Sequence, residues 1–320
     1  METILITWTS WFIGFHLAKR LLEQWNTKII WFDSENDYYD VILKLARRKQ
    51  LLKFENFTFY KGNLENLVDL QKVFKENKID KVCNLAAQAW VRYSIENPST
   101  YIESNLTWFG NIIELAKNHK VKNFVYASSS SVYGANKKQP FSVEDRVDNP
   151  VSLYAATKKS NELIAHSYSH IFDLPTTWLR FFTVQWPYGR PDMAYFKFTK
   201  KIFEDDPIDI YNHGKMQRDF TDIDDIVEWV IKSLNHIAKY EIFNLWNDTP
   251  TALEDMISLL EKYIWIKAKR NYIWMQDWDV KSTWADIEHT KEVLWWQPKI
   301  KIEDTIKKFV DWYREFYNVK

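Results

Sequence analysis

Glycine and cysteine are what this sequence has least of. Six glycines stand beside 17 tryptophans in 320 residues, whereas glycine is ordinarily ~7% of a protein. So few glycines leave little of the chain free to take left-handed turns without strain. The single cysteine, Cys83, excludes an intrachain disulfide and a cysteine-rich zinc site; in its hydrophobic run it reads as a buried core thiol, and no metal site is expected. Charge of one sign is missing too. Lys+Arg and Asp+Glu are 43 each, so the basic excess that draws nucleic acid or an anionic membrane is absent. No stretch approaches ~18 uninterrupted apolar residues, and the N-terminus enters a strand pattern without a basic leader or apolar signal core. The expectation is a cytoplasmic, soluble chain with no membrane span and no nucleic-acid partner.

What is present is an ordinary globular balance, 46% apolar and 27% charged, in a chain long enough for one large domain or two small ones. Strand-like and helix-like runs alternate through the first half. Strands are predicted at 4–7, 28–32, 58–61, 81–85, 123–127 and 176–181, and helices at 12–24, 67–76, 101–118 and 156–169. This alternation predicts an α/β fold, a Rossmann-type doubly wound parallel sheet with ligands at the carboxyl ends of its strands. After residue 182 the pattern breaks: "VQWPYGRPDMAYFKF" reads as loop, and helices are predicted near 225–235, 253–263 and 302–316. Residues 1–182 are therefore assigned to the nucleotide-binding domain, with some later segments returning to it. Residues 183–320 form predominantly a smaller, mixed C-terminal lobe.

Two stretches carry chemistry. The first, "LITWTSWFIGFHLAKRLL" (5–22), has the outline of a strand–turn–helix phosphate site. Such a turn needs small residues at three places, for tightness, for approach of the pyrophosphate and for helix–strand packing. Those places hold Trp8, Trp11 and Gly14. Asp33 follows a second strand at the distance where an acid binds the adenosine ribose; a plain strand–helix–strand unit with aromatic loops is the bland alternative. The second is "YASSSSVYG" (126–134) with "YAATK" (154–158). Tyr154 and Lys158 fall one helical turn apart on one face. An ammonium there is expected to lower the phenol's pKa and make it a general base, with a strand-end serine sharing the proton. Alone, Y-x-x-x-K is a common surface pattern; behind a dinucleotide-type turn it is specific.

With these motifs the chain resembles the extended short-chain dehydrogenases/reductases, in the nucleotide-sugar epimerase branch, and most of all the UDP-glucuronate 4-epimerases. "FDSENDYYD", "NLAAQAWVRYSIENP", "SNLTWFGNIIELA", "VYASSSSVYG", "VSLYAATKKSNELIA", "LRFFTVQWPYGRPDMA", "KMQRDFTDIDDIV" and "MQDWDV" occur in family order, nearly end to end. The resemblance implies bound NAD that takes a hydride from C4 of a UDP-sugar and returns it to the opposite face. It implies Tyr154 as the base, Lys158 on the nicotinamide ribose and Ser129 as the catalytic hydroxyl. The cofactor would lie on Trp8, Trp11, Phe12, Ile13, Gly14, Asp33, Asn63, Leu64, Leu85, Ala86 and Ala87, besides Tyr154 and Lys158. Ser130, Ser131, Thr183, Arg190 and Arg92 would line the sugar and carboxylate pocket, with a salt-bridged surface arginine the bland reading of Arg92. Arg218 would bind the diphosphate and Asp279 the uridine ribose. Ser131, where dehydratases and decarboxylases of this superfamily carry an acid, favours simple epimerisation. Three departures stand out. Asn63 replaces an Asp beside the adenine, Gln185 replaces a Tyr beside the substrate loop, and Gln276 stands where UDP-galactose epimerases tend to have Arg. The alternatives are a UDP-glucose or UDP-N-acetylhexosamine 4-epimerase, and a non-catalytic protein that binds NAD or a nucleotide sugar. A homodimer through the helices near 101–118 and 156–169 is expected by the same resemblance.

The resemblance also bears on the glycine shortage. Trp8, Trp11, Trp25, Trp31, Trp90, Trp108, Trp178, Trp186, Trp229, Trp246, Trp265, Trp278 and Trp295 stand where such enzymes carry glycine, and Trp274 is a possible fourteenth. Exchanging them brings glycine to about 20, near its usual share, and leaves Trp284, Trp296 and Trp312. Some bacteria read UGA as glycine, and a gene of that kind translated with UGA as tryptophan yields this pattern.

Overall fold

Parallel strands buried on both faces read as continuous apolar runs, and Lys81–Asn84 and Thr176–Phe181 are buried at every position. In the computed structural model the strands are β1 (Glu2–Thr7), β2 (Thr27–Asp33), β3 (Phe57–Lys61), β4 (Lys81–Asn84), β5 (Asn123–Ser129) and β6 (Thr176–Phe181). With the strand Tyr240–Leu245 they form one parallel sheet, in the order Tyr240–Leu245, β6, β5, β4, β1, β2, β3. The structure describes residues 1–320 except 9, 25, 36–39, 186, 248 and 275–283, and the side chain of Asp219. The chain steps outward from β1 in both directions, so the crevice between β1 and β4 is the switch point at which open α/β sheets bind ligands. Thr7 pairs with Asn84 at that point, and β5 runs beyond its last pairing with β4, Asn84 with Tyr126, to end at Ser129.

Helices cover both faces. On one, α1 (Phe12–Glu23) and the helix Ile223–Asn235 bury Phe15, Leu17, Ile226 and Val230 against β1 and β2. On the other, α3 (Leu67–Glu76), capped by the Asn66 side chain, packs with the long helix through Val73, Ile112 and Ile113. Between α1 and α3 lies α2 (Val41–Leu51), started by the Asp40 carboxylate, which accepts from Ile42 N. The sequence pattern did not predict α2, because its buried face holds Lys44 and Arg47 and reads as solvated.

The long helix predicted over 101–118 is composite. After the short α4 (Val91–Glu96) come α5 (Pro98–Tyr101), a π-helical stretch Ile102–Thr107 and then α6 (Trp108–Asn118). The wider turn carries Asn105 into the interior. Next comes α7 (Leu153–Phe172), capped by Ser152, whose hydroxyl accepts from Ala155 N at 3.1 Å. Its buried stripe is Ala155, Thr157, Lys158, Asn161, Glu162, Ala165 and Ser169, helical in spacing yet mostly polar.

Beyond β6 the chain alternates between the sheet and a lobe with its own core of Phe196, Ile210, Met256, Leu260, Phe309 and Val310. The loop predicted over 184–198 is corrected in its second half. A helix, Ala194–Phe203, begins there, because Tyr195, Phe196, Phe198 and Ile202 share one buried face in that core. Cys83 lies fully buried in β4, and burial pushes its thiol far up. Among the described residues no helix is long and apolar enough to cross a membrane.

Candidate active site

Thr7 organises the switch point. Its hydroxyl donates to Asn84 Oδ1 at 2.7 Å and accepts from Leu85 N and Ala86 N, each at 3.1 Å. That places Leu85, Ala86 and Ala87, all buried, on one rim of the crevice. Across it runs the turn from β1 into α1. Trp8 N donates to Phe32 O and Trp11 N to Trp8 O. Asp33 steadies the turn: its carboxylate accepts from Ser10 N and Glu35 N at 2.8 Å and, at 3.4 Å, from the Trp31 indole. Arg47, which no sequence signal marked, is buried beneath. It donates to the carbonyls of Ser10, Tyr188 and Gly189, joining the turn to the loop that carries Arg190. Burial lowers its pKa to about 10. Phe12, Ile13 and Gly14 open α1. Leu64 is buried, whereas Asn63 is exposed and donates to Glu65.

Space here is scarce. The Trp8 and Trp11 rings lie 5.2 Å apart, Trp8 also meets Trp108 edge-on at 6.3 Å, and Arg190 sits 5.3 Å above Trp11. A void of about 10 Å³ remains between Trp8, Ser10, Trp11, Asp33 and Lys44, room for about one water molecule and far too little for a diphosphate.

The opposite rim is polar and ordered. Ser129 ends β5 and accepts from Ser131 N at 3.2 Å and from Ser131 Oγ at 3.0 Å, in the turn Ser130–Tyr133. It also hydrogen-bonds the Tyr154 phenol. Lys158 is buried one turn along α7 and donates to Ala127 O at 2.7 Å. Burial lowers its pKa to about 7, opposed by the Glu162 charge. One expectation is corrected here. The Tyr154 pKa is raised, not lowered, because burial outweighs the Ser129 hydrogen bond and the positive charge of Arg190. Lys158 is turned onto the Ala127 carbonyl, its ammonium 6.0 Å from the phenol ring centroid.

Behind this pair lies a second buried pair. Glu162 accepts from Ser128 Oγ at 2.6 Å and from Arg180 Nε and Nη2 at 3.1 and 3.0 Å; Arg180 Nη1 donates to Tyr133 OH, and Tyr133 OH to Asn244. Asn105, the residue turned in by the π stretch, accepts from Gln88 N and donates to Gln88 O and to Thr157 Oγ1. Thr157 in turn donates to Tyr154 O. The strand end, the β4 loop and the helix that carries Tyr154 thus form one hydrogen-bonded frame. Sequence reasoning missed Asn105 and Glu162; the latter had a signal, its i+4 spacing from Lys158 on the buried face.

The remaining expected residues are scattered. Arg190, beside the phenol electrostatically, chelates Asp192 at 3.0 and 2.6 Å. Thr183 is half-buried where its carbonyl accepts from Thr221 N. Arg218 lies in the strand Gln217–Asp219 and donates to Gln217 O. Arg92 is half-exposed on α4 and paired with Glu96 at 3.1 Å, apart from the frame. Asp279 and Gln276 lie outside the described residues.

A parallel sheet that gathers a nucleotide-type turn, a strand-end serine and a Tyr-x-x-x-Lys helix at one crevice defines a dinucleotide-dependent α/β enzyme. The model of the NAD dependent epimerase/dehydratase family matches residues 4–245, and the chain belongs to that family. Protein CapI of Staphylococcus aureus is 50% identical, over 98% of this chain and 99% of its own. A UDP-glucuronate 4-epimerase of Thermodesulfobacterium geofontis is 44% identical, over 98% and 97%. The crystal structure of UDP-glucuronic acid 4-epimerase from Bacillus cereus, in complex with UDP-glucuronic acid and NAD, superposes with a TM-score of 0.92 at 32% identity, covering 99% and 100%.

NAD is the family's cofactor, and the residues fit it unequally. Asp33, the Leu85–Ala87 rim, Tyr154 and Lys158 suit a ribose and a ring at the switch point. Trp8 and Trp11 do not suit a diphosphate: their indoles fill the place where it would meet the backbone, and about 10 Å³ is left.

Proposed function

We propose that the protein, with its nucleotide turn open, inverts C4 of a UDP-sugar, converting UDP-glucuronate to UDP-galacturonate. NAD, when bound, supplies a reversible acceptor for the C4 hydride. Tyr154, once deprotonated, takes the 4-hydroxyl proton onto its oxygen, Ser129 holds that oxygen, and Lys158, on turning from Ala127 O, holds the adjacent ribose and brings positive charge to the phenol. Arg218 suits the diphosphate. The observation that carries the choice of sugar is Arg190 on the loop that Arg47 ties to the β1–α1 turn at the crevice. In glucuronate the carboxylate hangs from C5, next to the carbon that reacts, and a guanidinium on that loop suits it. Ser130 and Ser131, on the neighbouring turn, suit its other oxygen. The relatives named UDP-glucuronate 4-epimerase support the same choice.

Asp192 favours a second reading. Its bidentate pairing with Arg190 already offsets the charge, which suits a neutral sugar such as UDP-glucose. The test offers the chain carrying Trp8→Gly and Trp11→Gly each of UDP-glucuronate, UDP-glucose and UDP-N-acetylglucosamine without added NAD, and follows the anomeric proton signals. Conversion of UDP-glucuronate ahead of both neutral sugars is the expected result. Preference for a neutral sugar overturns the carboxylate pocket and keeps the Tyr154 chemistry. No conversion of any sugar moves the protein to a nucleotide-sugar-binding role.

A further inference from the structure

Among the described residues four tryptophans sit at positive φ: Trp8 at +56°, Trp90 at +92°, Trp265 at +63° and Trp295 at +52°. Only a few per cent of non-glycine residues do so, and bulky ones least. Trp90 is the most telling. With ψ at +123° it lies outside the left-handed helical region altogether, in territory that only glycine occupies comfortably. Trp265 and Trp295 are the left-handed C-caps of the helices Leu253–Ile264 and Glu288–Leu294, the position at which glycine ends a helix. They are 84% and 86% exposed, so little packing favours an indole there, the Arg314 guanidinium 5.0 Å over Trp265 being the contact described.

A second observation is independent of the backbone. The indole N–H groups of Trp108, Trp178, Trp229 and Trp246 are buried without a hydrogen-bond partner, and each such group costs about 1–3 kcal/mol. Together they approach the whole net stability of a domain. Trp296 and Trp312 share that feature, so the backbone and the crevice, not the N–H alone, decide. The third observation is the crevice, where Trp8 and Trp11 leave about 10 Å³ between the residues that would receive a diphosphate. One cause acting through a single codon accounts for all three together with a chain of 17 tryptophans and 6 glycines.

We propose that the protein made in its own cell carries glycine at positions 8, 11, 90, 265 and 295, the codon there being UGA read as glycine. With tryptophan at 8 and 11 the chain does not hold NAD; with glycine it does. The cofactor half of this statement rests on the proposed function, and the glycine half does not. The test therefore has two arms. Peptides of the protein isolated from its source cells are weighed across residues 1–19 and 79–92. Glycine masses at 8, 11 and 90 are expected, and tryptophan masses overturn the proposal. In the second arm, chains with glycine or tryptophan at all five positions are made in a host that reads UGG as tryptophan, and NAD binding is followed by calorimetry. The glycine chain is expected to bind at least 100-fold more tightly, and equal binding overturns the steric claim. Glycine masses with NAD bound by neither chain leave the glycine assignment standing and remove the cofactor reading instead.

Discussion

The two rims of the crevice are built from the same kind of element, a strand ending at the switch point and a helix leaving it, yet they differ in how well they are satisfied. On the β5–α7 rim the groups at the crevice are paired, Ser129 with Ser131, Lys158 with Ala127, and Glu162 with Ser128 and Arg180, while Asn161 Oδ1, Gln88 Nε2 and Tyr126 OH behind them are buried without a partner among the described residues. On the β1–α1 rim the backbone geometry of a nucleotide turn is intact, since Asp33 still caps it and Arg47 still ties it down. Its side chains contradict that geometry, with an indole at positive φ and a filled crevice. The fold tolerates the contradiction because the sheet register ends at Thr7, before residues 8 and 11, and both indoles pack onto the apolar clusters beneath them. Ligand binding has no such latitude: a turn that must admit a diphosphate is specified by absence of side chain. Stability and function thus read different residues of one element.

The sharpest way to break the comparison is to damage the ordered rim. In the chain with glycine at 8 and 11, Tyr154→Phe keeps the ring and removes the oxygen. We expect kcat to fall by about 10²–10⁴ with little change in unfolding midpoint, since the phenol's contact with Ser129 is the main interaction lost. Activity within tenfold of the parent means that the base lies elsewhere. Next in size is Glu162→Ala, which leaves Arg180 buried beside Tyr133 without its carboxylate. Removing one partner of such a pair costs about 3–5 kcal/mol, read by urea unfolding. The double variant Glu162→Ala with Arg180→Met should recover part of the loss, because a buried pair removed whole leaves no lone charge.

These residues also mark how far sequence reasoning reaches. β1, β4 and β6 were readable because each is a short apolar run between turn residues, and the spacing of Tyr154 and Lys158 carries its own geometry. The helix Val41–Leu51 was not, since burial of Lys44 and Arg47 inverts the usual meaning of a charge; the partners of Arg47, Ser10, Tyr188 and Gly189, are distant in sequence. Asn105 was hidden for a related reason: a π turn shifts the helical phase, and nothing local announces it. The Ala194–Phe203 helix was missed because "AYFKF" carries strand-like residues whose helical face appears only against Phe309 and Tyr313. At the site, the order of the motifs was legible but the charge balance was not. Whether burial or a cation wins at Tyr154 depends on the direction in which Lys158 points.

That direction has a consequence for pH. The folded Lys158 titrates at about 7, against about 10.4 in an unfolded chain. Between those values the unfolded chain holds a proton that the folded chain has lost, so this residue's contribution to stability rises with pH across that window. Below pH 7 the cost of the buried ammonium is fully present. Lys158→Met removes it and loses the bond to Ala127 O. We expect the variant to exceed the parent by roughly 1–2 kcal/mol at pH 6 after that loss. The advantage should shrink steadily toward pH 10, as measured by denaturant unfolding across the range. A constant difference at every pH means that Lys158 does not titrate in the window.

The smallest effects separate the two faults that coincide in the β1–α1 turn, strained backbone and filled space. Trp265 and Trp295 carry only the first, being exposed caps. Left-handed backbone costs a residue with a Cβ about 1–2 kcal/mol, while glycine returns roughly 0.4–1 kcal/mol of that through the greater freedom of the unfolded chain. Trp295→Gly should therefore stabilise by about 0.5–1 kcal/mol. Trp265→Gly should gain less, because Arg314 lies 5.0 Å over that indole and an exposed cation–π contact is worth about 0.5–1 kcal/mol. Thermal unfolding of the two single variants resolves the order, and the coupling between Trp265 and Arg314 is checked by adding Arg314→Gln, which should close the gap between them. If Trp295→Gly destabilises, the backbone at the cap is not strained by the indole. The fault at residue 8 then reduces to the space its side chain fills.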